Sequence, residues 1–382
     1  MRAHTVRLTA WLVFCWCWLC VGPVLAAELK GLRQQFHVVI PCFDFLPATE
    51  REDPSLACEL SALVHHQGRL WFLNDKSHPS LPVSLLAALA PKVPADGDGA
   101  SMAATETRLT AFLPGPASPL DQASKFEAAA QSVDDAIDFA VTAFDRFDPM
   151  SARYDRFNAV FFWPRGLIEG ARLLNPSHRN GQTSSVPLRS IFERQLKAPY
   201  YKIEGLAALP GRRLLFGVRE TGASFREPLF RFLILAFRYV LDDEQGLRLV
   251  DEGQVLADWR PADLFPDQSL TASIQGLGLS SIEYCAEHDQ LFFLLSAESD
   301  SRMDGFLLSQ KRARFEAGEK PTLVRDEANV VLHFSHKPEG MTVVGADCQL
   351  LIAHDDDRFL GGTPSRANIR EMIYSVIQFR FE

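Results

Sequence analysis

Short apolar runs separated by polar turns recur along this chain in one fixed arrangement. Lys337–Asp357 shows it clearly, because a strand Met341–Val344, a loop Gly345–Gln349 and a strand Leu350–His354 together predict a β-hairpin. Four other segments share its order: a glutamate, a small residue three positions later, an apolar run with a bulky third residue, and a closing residue. The opening and closing residues are Glu59 and Asp75, Glu127 and Thr142, Glu204 and Arg219, Glu283 and Ser296, and Glu339 and Asp355.

The strands between these hairpins predict how the chain closes. Each interval between successive glutamates holds about four short strands, whereas only three follow Glu339. A spare strand at 36–45 precedes the first hairpin and supplies the missing one, which is typical of the circular array of a β-propeller. We therefore expect an all-β fold: a single β-propeller domain over residues 27–382, closed by the N-terminal strand. Five blades fit the count, six would need a further divergent blade, and a β-sandwich with coincidental hairpins is the alternative.

Two units contain additional features. The second carries a polar insertion, Asn175–Ser185, followed by the apolar element Val186–Phe192. The third contains Phe230–Val240, which is apolar on both faces and therefore predicts an internal strand.

The N-terminus has the pattern of a secretory signal peptide. Arg2 and Arg7 precede the apolar run Leu8–Val21, and small residues at Ala26 and Ala27 follow it. We expect cleavage after Ala26 or Ala27, which removes residues 1–26. An uncleaved anchor is the alternative, although the run is short for a membrane span. No other stretch is long and apolar enough to span a membrane, so the sequence predicts a periplasmic or secreted protein.

Charge and cysteines narrow the classes of partner and compartment. The formal net charge is −9, and loss of residues 1–26 removes arginines but no acids, so nucleic acid is disfavoured as a partner. Four cysteines remain after cleavage, an even number that suits an oxidising compartment. Cys42 and Cys58 form the natural local pair with Cys285 and Cys348 left over, but three connectivities are open and free buried thiols are an alternative.

The repeated glutamates predict a site at one end of the central channel. The first residue of an antiparallel hairpin lies across from its last residue, so each glutamate should adjoin its closing partner. If the first strand of each blade is innermost, these pairs gather at one channel mouth. The predicted ligand-binding residues are Glu59, Asp75, Glu127, Glu204, Arg219, Glu283, Glu339 and Asp355.

Two roles are open for this acidic mouth. Lys125, Lys202 and Lys337 each precede a glutamate by two residues and so share its strand face, which favours ion pairs that tie blades together. Alternatively, the carboxylates hold a hard cation such as Ca²⁺ or Mg²⁺, which prefers oxygen ligands. The predicted metal ligands are then Glu59, Asp75, Glu339 and Asp355.

Other motifs are weaker. His65-His66 and His333-x-x-His336 offer metal ligands, but histidines near strand ends are usually surface residues. No nucleophile elbow, phosphate-binding loop, dinucleotide fingerprint or H-E-x-x-H motif occurs, so a nucleophilic serine mechanism has no support.

Three segments also resemble the blades of a known group. EGLAALPGRRLLFGVRETG, GLSSIEYCAEHDQLFFLLS and HKPEGMTVVGADCQLLIAHDDD resemble uncharacterised secreted bacterial β-propeller proteins, which are distantly similar to the phytase-like, esterase-like propeller family. Glu204-Gly205 and Glu339-Gly340 match the start of the inner strand in that group, whereas Leu60, Ala128 and Tyr284 depart from it. The resemblance implies a propeller and, less directly, phosphoester or ester hydrolysis.

The sequence thus predicts a propeller that binds a small ligand or a protein partner at its channel mouth. The alternative is a metal-assisted phosphoester hydrolase, in which Lys76, Arg219 or Lys337 places the phosphate beside the ion.

Overall fold

Antiparallel strands joined by short turns dominate the structure, a computed structural model. It describes residues 28–44, 46–51, 58–75, 85–89, 109–112, 118–242, 246–250, 252–265, 276–299, 302–345, 347–355 and 371–382. The predicted signal peptide, Lys76 and the aspartates 356 and 357 lie outside these residues. Within the described residues, no helix is long and apolar enough to cross a membrane.

The strands form five sheets of four or five strands and one two-stranded sheet among the described residues. The N-terminal strand β1 (Leu29–Pro41) belongs to the last of the five. The first sheet contains β2 (Leu60–His66), β3 (Arg69–Asn74), β4 (Leu85–Leu89) and β5 (Thr110–Phe112), and the second contains β6 (Phe126–Gln131), β7 (Ile137–Thr142), β8 (Val160–Pro164) and β9 (Arg172–Leu173). The two-stranded sheet pairs β10 (Ser177–Arg179) with β11 (Gln182–Ser184) in the polar insertion.

The remaining sheets are larger. The third contains β12 (Tyr200–Leu209), β13 (Arg213–Gly222), β14 (Pro228–Asp242), β15 (Gly246–Leu249) and β16 (Gln254–Trp259), and the fourth contains β17 (Leu277–Cys285), β18 (Gln290–Ser299), β19 (Arg302–Lys311), β20 (Thr322–Leu323) and β21 (His333–Phe334). The fifth contains β22 (Pro338–Val344), β23 (Gln349–His354), β24 (Glu371–Phe381) and β1. All five predicted hairpins are therefore present.

The sheets are arranged around a central axis as an all-β propeller. The first strand of each predicted hairpin packs against the first strand of the next hairpin, and the last of them packs against the first. These inner strands are β2, β6, β12, β17 and β22. The predicted N-terminal strand begins earlier than expected, at Leu29. It pairs with β24, and Val38 lies opposite Tyr374 in that pairing. The chain termini therefore close the ring together.

One apolar cluster lies between each pair of neighbouring sheets. The bulky residue predicted in the second strand of every hairpin is fully buried in such a cluster, and burial of each aromatic side chain contributes about 1.5–3 kcal/mol. These residues are Phe72, Phe139, Phe216, Phe293 and Ile352. The alternation of strand side chains lets one strand contribute to the clusters on both of its faces.

Three short α-helices accompany the sheets: α1 (Ala48–Arg51), α2 (Pro187–Leu196) and α3 (Arg312–Glu316). The prediction that Val186–Phe192 is a strand is wrong, because Val186 caps α2 and the rest of the element lies in that helix. Proline at its first turn and buried Leu188 and Phe192, four residues apart, suit a helix instead. Short 3₁₀ helices lie at Pro119–Gln122, Ala152–Phe157, Ile168–Gly170 and Pro261–Leu264.

Two disulfides link the four described cysteines. Cys42 is bonded to Cys58, and Cys285 at the end of β17 is bonded to Cys348 just before β23. The first closes the N-terminal segment onto the first sheet, and the second joins the fourth and fifth sheets.

Candidate ligand-binding site at the channel mouth

A β-bulge near the start of each innermost strand positions the side chains at one end of the channel. Each of the five hairpins shows a register shift there, and such a shift inserts an extra residue that re-aims its side chain. The residues at these bulges are Ser61, Glu127, Glu204, Ser280 and Glu339. The repeat therefore has three glutamates and two serines at this position.

Glu127, Glu204 and Glu339 come together as the sequence predicts. One carboxylate oxygen of each lies within 4.8 Å of those of the other two, and all three side chains are buried. The predicted lysines two residues earlier lie among them, so the Lys-x-Glu spacing places a cation beside each carboxylate.

Glu59 and Glu283 do not occupy the position of the other three glutamates, so the predicted alignment of the five hairpins is wrong at these two. Glu59 lies two residues before the bulge at Ser61, where other blades have lysine. Glu283 lies three residues beyond Ser280 and opposite Phe292, and its predicted partner, Ser296, pairs with Gly278 instead. The inner strands are buried on both faces, so the alternation of apolar residues does not mark the extra residue of a bulge.

Glu283 occupies a different part of the channel wall. Its carboxyl group is buried and accepts a hydrogen bond from the backbone N–H of Val343 on the neighbouring inner strand. Burial raises the pKa of Glu283 well above its usual value. Its role here is to tie β17 to β22.

Of the predicted closing residues, Asp75 lies across from Glu59 as expected, whereas Asp355 lies across from Lys337, which is two residues before its predicted partner Glu339. The backbone N–H of Asp75 donates to the carbonyl oxygen of Glu59 at 2.8 Å, and that of Asp355 donates to the carbonyl of Lys337 at 2.9 Å. Thr142 lies opposite Phe126, next to Glu127.

Lysines neutralise the buried carboxylates of the second and third sheets. Lys125 Nζ lies 3.5 Å from Glu127 Oε1 and 2.7 Å from Asp145 Oδ2. Lys202 Nζ lies 3.5 Å from the same Glu127 oxygen and also contacts Glu204. Lys202 therefore bridges two blades.

Burial and ion pairing set the ionisation of this network. Burial raises the pKa of Glu127 well above its usual value, and Lys202 and Lys125 only partly oppose this. Burial acts in the same direction on Glu204, but Arg219 and Lys202 outweigh it and lower the pKa of that carboxyl. Burial alone would lower the pKa of Lys202, yet Glu127 and Glu204 raise it well above the usual value. Lys202 therefore stays charged.

The fifth sheet repeats the pair. Lys337 Nζ lies 2.6 Å from Glu339 Oε1, and burial raises the pKa of Glu339 despite that contact.

Arg219 supplies the cation that the fourth sheet lacks. Its guanidinium is 1% exposed, donates to Glu204 Oε2 at 2.9 Å, and donates to the hydroxyl and carbonyl of Ser296 at 2.7 and 3.1 Å. Gly278 stands where other blades have lysine, and a Cβ there would lie 2.5 Å from Arg219 Cγ. The absence of a side chain at Gly278 thus makes room for Arg219.

A cleft of about 800 Å³ opens above this network, a volume typical of small-molecule sites. Lys125, Lys202 and Asp145 lie at its base, and its lining continues outward to residues of the second and third sheets and of α2. The side chains of the two lysines are only 16% and 15% exposed. The lining residues that the sequence did not indicate include Asp145, Arg146, Tyr154, Tyr200, Glu220 and Phe225.

Four of these missed residues come from connections between strands, where no repeat pattern applies, whereas Tyr200 and Glu220 lie in the parts of β12 and β13 beyond the repeated hairpin motif. The sequence does contain a signal for the residues at the channel bulges. Lys-x-Glu occurs at 125–127, 202–204 and 337–339, whereas Leu-Ser occupies the equivalent bulge at 60–61 and 279–280. Aligning these short motifs instead of the glutamates gives the observed register.

The strand pairing defines the class of protein as a β-propeller. No family model matches the chain, nor does any curated protein. Solved structures that are similar include an α-L-arabinofuranosidase from Podospora anserina in complex with cellotriose (10% identity, 85% of this chain and 92% of that one, TM-score 0.42). Native arabinanase of Bacillus subtilis (9%, 85% and 94%, 0.41) and U3-55K (13%, 85% and 97%, 0.36) are also similar.

With TM-scores this low, these similarities do not bear on activity, and the fold assignment rests on the strand topology. None of the three structures is described as a phytase, so the phytase-like resemblance stays a prediction.

Proposed function

We propose that the protein is a binding propeller whose channel-mouth cleft takes a small, uncharged, hydroxyl-rich ligand such as a sugar. The observation that carries this proposal is the cleft of about 800 Å³ above a network whose charges are already paired within the protein. Such a cleft offers fixed hydrogen-bonding groups without a large unbalanced charge.

Charge pairing extends to the walls. Arg146 lies 3.4 Å from Asp145, and Arg189 lies 3.1 Å from Glu193 on the same helix. Glu220 accepts a hydrogen bond from the hydroxyl of Tyr200 at 2.7 Å. A ligand with a strong net charge would have to displace one of these pairs, whereas hydroxyl groups can add to them.

Aromatic side chains supply the apolar contacts. Phe147, Tyr154, Tyr200 and Phe225 line the cleft, and Phe225 is 67% exposed at its rim. An exposed aromatic ring gives a flat surface for the apolar face of a sugar ring, and the hydroxyl oxygen of Tyr200, which donates to Glu220, can still accept a hydrogen bond.

The carboxylates that line the cleft are already paired, which favours binding over hydrolysis. Asp145 contacts Lys125, Glu193 contacts Arg189, and Glu220 accepts from Tyr200.

The channel glutamates are buried beneath these carboxylates. Glu127 and Glu204 are 2% and 1% exposed and lie against Lys125 and Lys202, so a ligand in the cleft meets the lysines first. A general acid must lie within hydrogen-bond reach of its substrate. The metal-assisted hydrolase remains a separate prediction and is addressed by the cation experiment below.

Isothermal titration of the mature protein against neutral mono- and oligosaccharides, polyols and phosphorylated counterparts tests the proposal. We expect a neutral, hydroxyl-rich ligand to bind with an affinity that changes little between low and high salt, because no ion pair with the ligand is screened. Phe225→Ala should weaken binding about tenfold, which corresponds to about 1.4 kcal/mol.

Val330→Ala is the matched control. Val330 is 60% exposed, similar to Phe225, but belongs to a turn of the fourth sheet outside the cleft lining. If only phosphorylated compounds bind, and their affinity falls steeply with salt, the cleft is an anion site and the proposal is wrong. If the Phe225→Ala variant binds the ligand as tightly as the natural protein, the cleft is not the binding site.

We also propose that the five sheets are the full set of blades and that the protein is exported to an oxidising compartment. The disulfide pairing of Cys42 with Cys58 and of Cys285 with Cys348 supports export. Mass spectrometry of the natural protein should find its N-terminus at Ala27 or Glu28, and an intact N-terminus at Met1 would contradict export by cleavage.

A further inference from the structure

A short 3₁₀ helix beside the cleft carries two arginines on one side. Side chains three residues apart lie almost above one another in such a helix, so Ala152–Phe157 has three faces of two residues each. Arg153 and Arg156 form an exposed face. Tyr154, on another face, lines the cleft. The helix therefore presents two basic side chains to solvent next to the proposed binding site.

The acidic side chains of the same segment are held within the protein. Asp155 is fully buried, and its Oδ2 lies 3.5 Å from Nε of Arg179 on β10. Asp145 is mostly buried and lies 2.7 Å from Lys125. Asp148 accepts a hydrogen bond at 2.9 Å from the backbone N–H two residues later. The outer surface of the segment is therefore basic, although its sequence holds as many acids as arginines.

Two aromatic rings hold the guanidinium groups in place. The guanidinium carbon of Arg153 lies 5.2 Å from the centre of the Tyr154 ring. Those of Arg156 and Arg146 lie 4.9 and 4.7 Å from the centre of the Phe157 ring. The two rings are 6.2 Å apart, so the three arginines form one group, here called the arginine cluster.

This arrangement leaves donors available for a ligand. Stacking on an aromatic ring uses the face of a guanidinium plane, whereas its N–H groups point outward along the edges. Within the described part of the chain, neither Arg153 nor Arg156 forms an ion pair with a carboxylate. Because the rings already restrict these long side chains, less conformational freedom is lost when an anion binds.

We propose that the arginine cluster binds carboxylate groups of an acidic polysaccharide. The paired N–H donors of arginine match the two oxygens of a carboxylate. The chain as a whole has a formal net charge of −9, so a local basic surface determines where a polyanion can approach it.

The choice of a polysaccharide rests on the proposed function of the cleft. Arg146 and Tyr154 belong to the arginine cluster or its supporting rings and also line the cleft. A sugar chain with an uncharged unit in the cleft would therefore pass directly over the cluster. An acidic peptide matches the charge of the cluster but not a cleft suited to hydroxyl groups.

Calorimetric titration of the mature protein with polygalacturonate tests the proposal. Its fully methyl-esterified form is the matched ligand, since it has the same sugar chain without the charges, and poly-glutamate represents an acidic peptide. We expect polygalacturonate to bind about tenfold more tightly than either compound. We also expect its affinity to fall as salt is added, because salt screens exposed charges.

The double variant Arg153→Gln and Arg156→Gln should bind polygalacturonate about tenfold more weakly with little change in Tm, because both side chains are exposed. The control combines Arg69→Gln with Arg248→Gln, which changes the net charge equally at exposed positions outside the cleft lining. The proposal is overturned if polygalacturonate does not bind, or if its methyl ester or poly-glutamate binds as tightly. It is also overturned if both double variants lose affinity equally.

This outcome is separate from that of the proposed function, which depends on neutral sugars and Phe225. If neutral sugars fail to bind while polygalacturonate binds through the arginine cluster, the proposal for the cleft is wrong and that for the cluster stands. If neutral sugars bind and the charge of polygalacturonate adds no affinity, only the proposal for the cluster is wrong.

Discussion

Arg219→Met is the perturbation that most directly examines the buried network. The guanidinium lies between Glu204 of its own hairpin and Ser296 of the next sheet, and it is almost completely buried. Methionine fills a similar volume without charge or hydrogen-bond donors. Glu204 then keeps Lys202 in contact and the weaker influence of Lys337, and the carbonyl oxygen of Ser296 loses a donor.

The expected loss follows from these contacts. Removing one member of a buried ion pair typically costs about 3–5 kcal/mol, because the remaining charge is left without full compensation. Lys202 reduces the cost for Glu204, while the lost hydrogen bonds to Ser296 increase it. We therefore expect the free energy of unfolding to fall by about 3 kcal/mol at pH 7.

The dependence on pH has a defined sign. Arg219 and Lys202 hold the pKa of Glu204 below its ordinary value of 4.5, so the stability from this carboxylate is present above that pH and is lost as the pH falls. Protonation of Glu204 in the variant removes the uncompensated charge. The gap between the natural protein and Arg219→Met should therefore narrow at pH 4.

Urea denaturation followed by tryptophan fluorescence at pH 7 and pH 4 provides the measurement. Arg260→Met is the control, because Arg260 forms an exposed pair with Asp263 and its loss should leave the unfolding midpoint nearly unchanged. The double variant with Glu204→Gln should regain more than half of the loss. A destabilisation by Arg219→Met no larger than that of the control would refute the argument.

Three further changes to the protein or its solution have defined expected outcomes. Gly278→Ala should lower Tm at neutral pH, because its Cβ would lie 2.5 Å from Arg219 Cγ. The control is Gly170→Ala at an exposed glycine, where the nearest atom to an added Cβ is Pro164 Cδ at 3.6 Å, and an equal Tm for the two variants would contradict this. Glu283→Gln should raise Tm at pH 8 but not at pH 4, because a carboxyl group with a raised pKa gives stability that is present at low pH and is lost as the pH rises. If the variant and the natural protein have the same Tm at both pH values, burial of this carboxyl group does not limit stability. Adding Ca²⁺ or Mg²⁺ after chelation should leave Tm unchanged if lysines neutralise the mouth, whereas a saturable rise would favour the metal site predicted at Glu59, Asp75, Glu339 and Asp355.

Much of the architecture could be predicted from local pattern. Alternating apolar positions define the hairpins, and the strand left over before Glu59 predicts the pairing of β1 with β24. The site was harder, because the bulges at Ser61 and Ser280 shift the register by single residues while the apolar face stays the same. A glutamate two or three positions away then aligns as well as the true equivalent.

The position of the cleft depends on contacts that no local pattern records. Asp145 and Phe225 belong to connections whose course is set by the sheets on either side. The rings of His37 and His354, 6.5 Å apart, are a more extreme case, since these residues lie at opposite ends of the sequence and meet only because the ring of sheets closes. Even when every strand is assigned correctly, contacts between residues that are distant in the sequence cannot be predicted until the strand register is known.

The asymmetry of the ring explains why the cleft lies over the second and third sheets. Their adjacent Lys-x-Glu motifs share Lys202 across the blade boundary, whereas the first and fourth sheets have serine at the bulge. Beside these same two sheets the chain inserts β10, β11 and α2, and α2 contributes Arg189 and Glu193 to the cleft wall. A repeat that only maintained the ring would have no need for these additions. The cleft is found where the repeats differ from one another, which is why the added wall, and not the shared hairpin, is where ligand specificity should be sought.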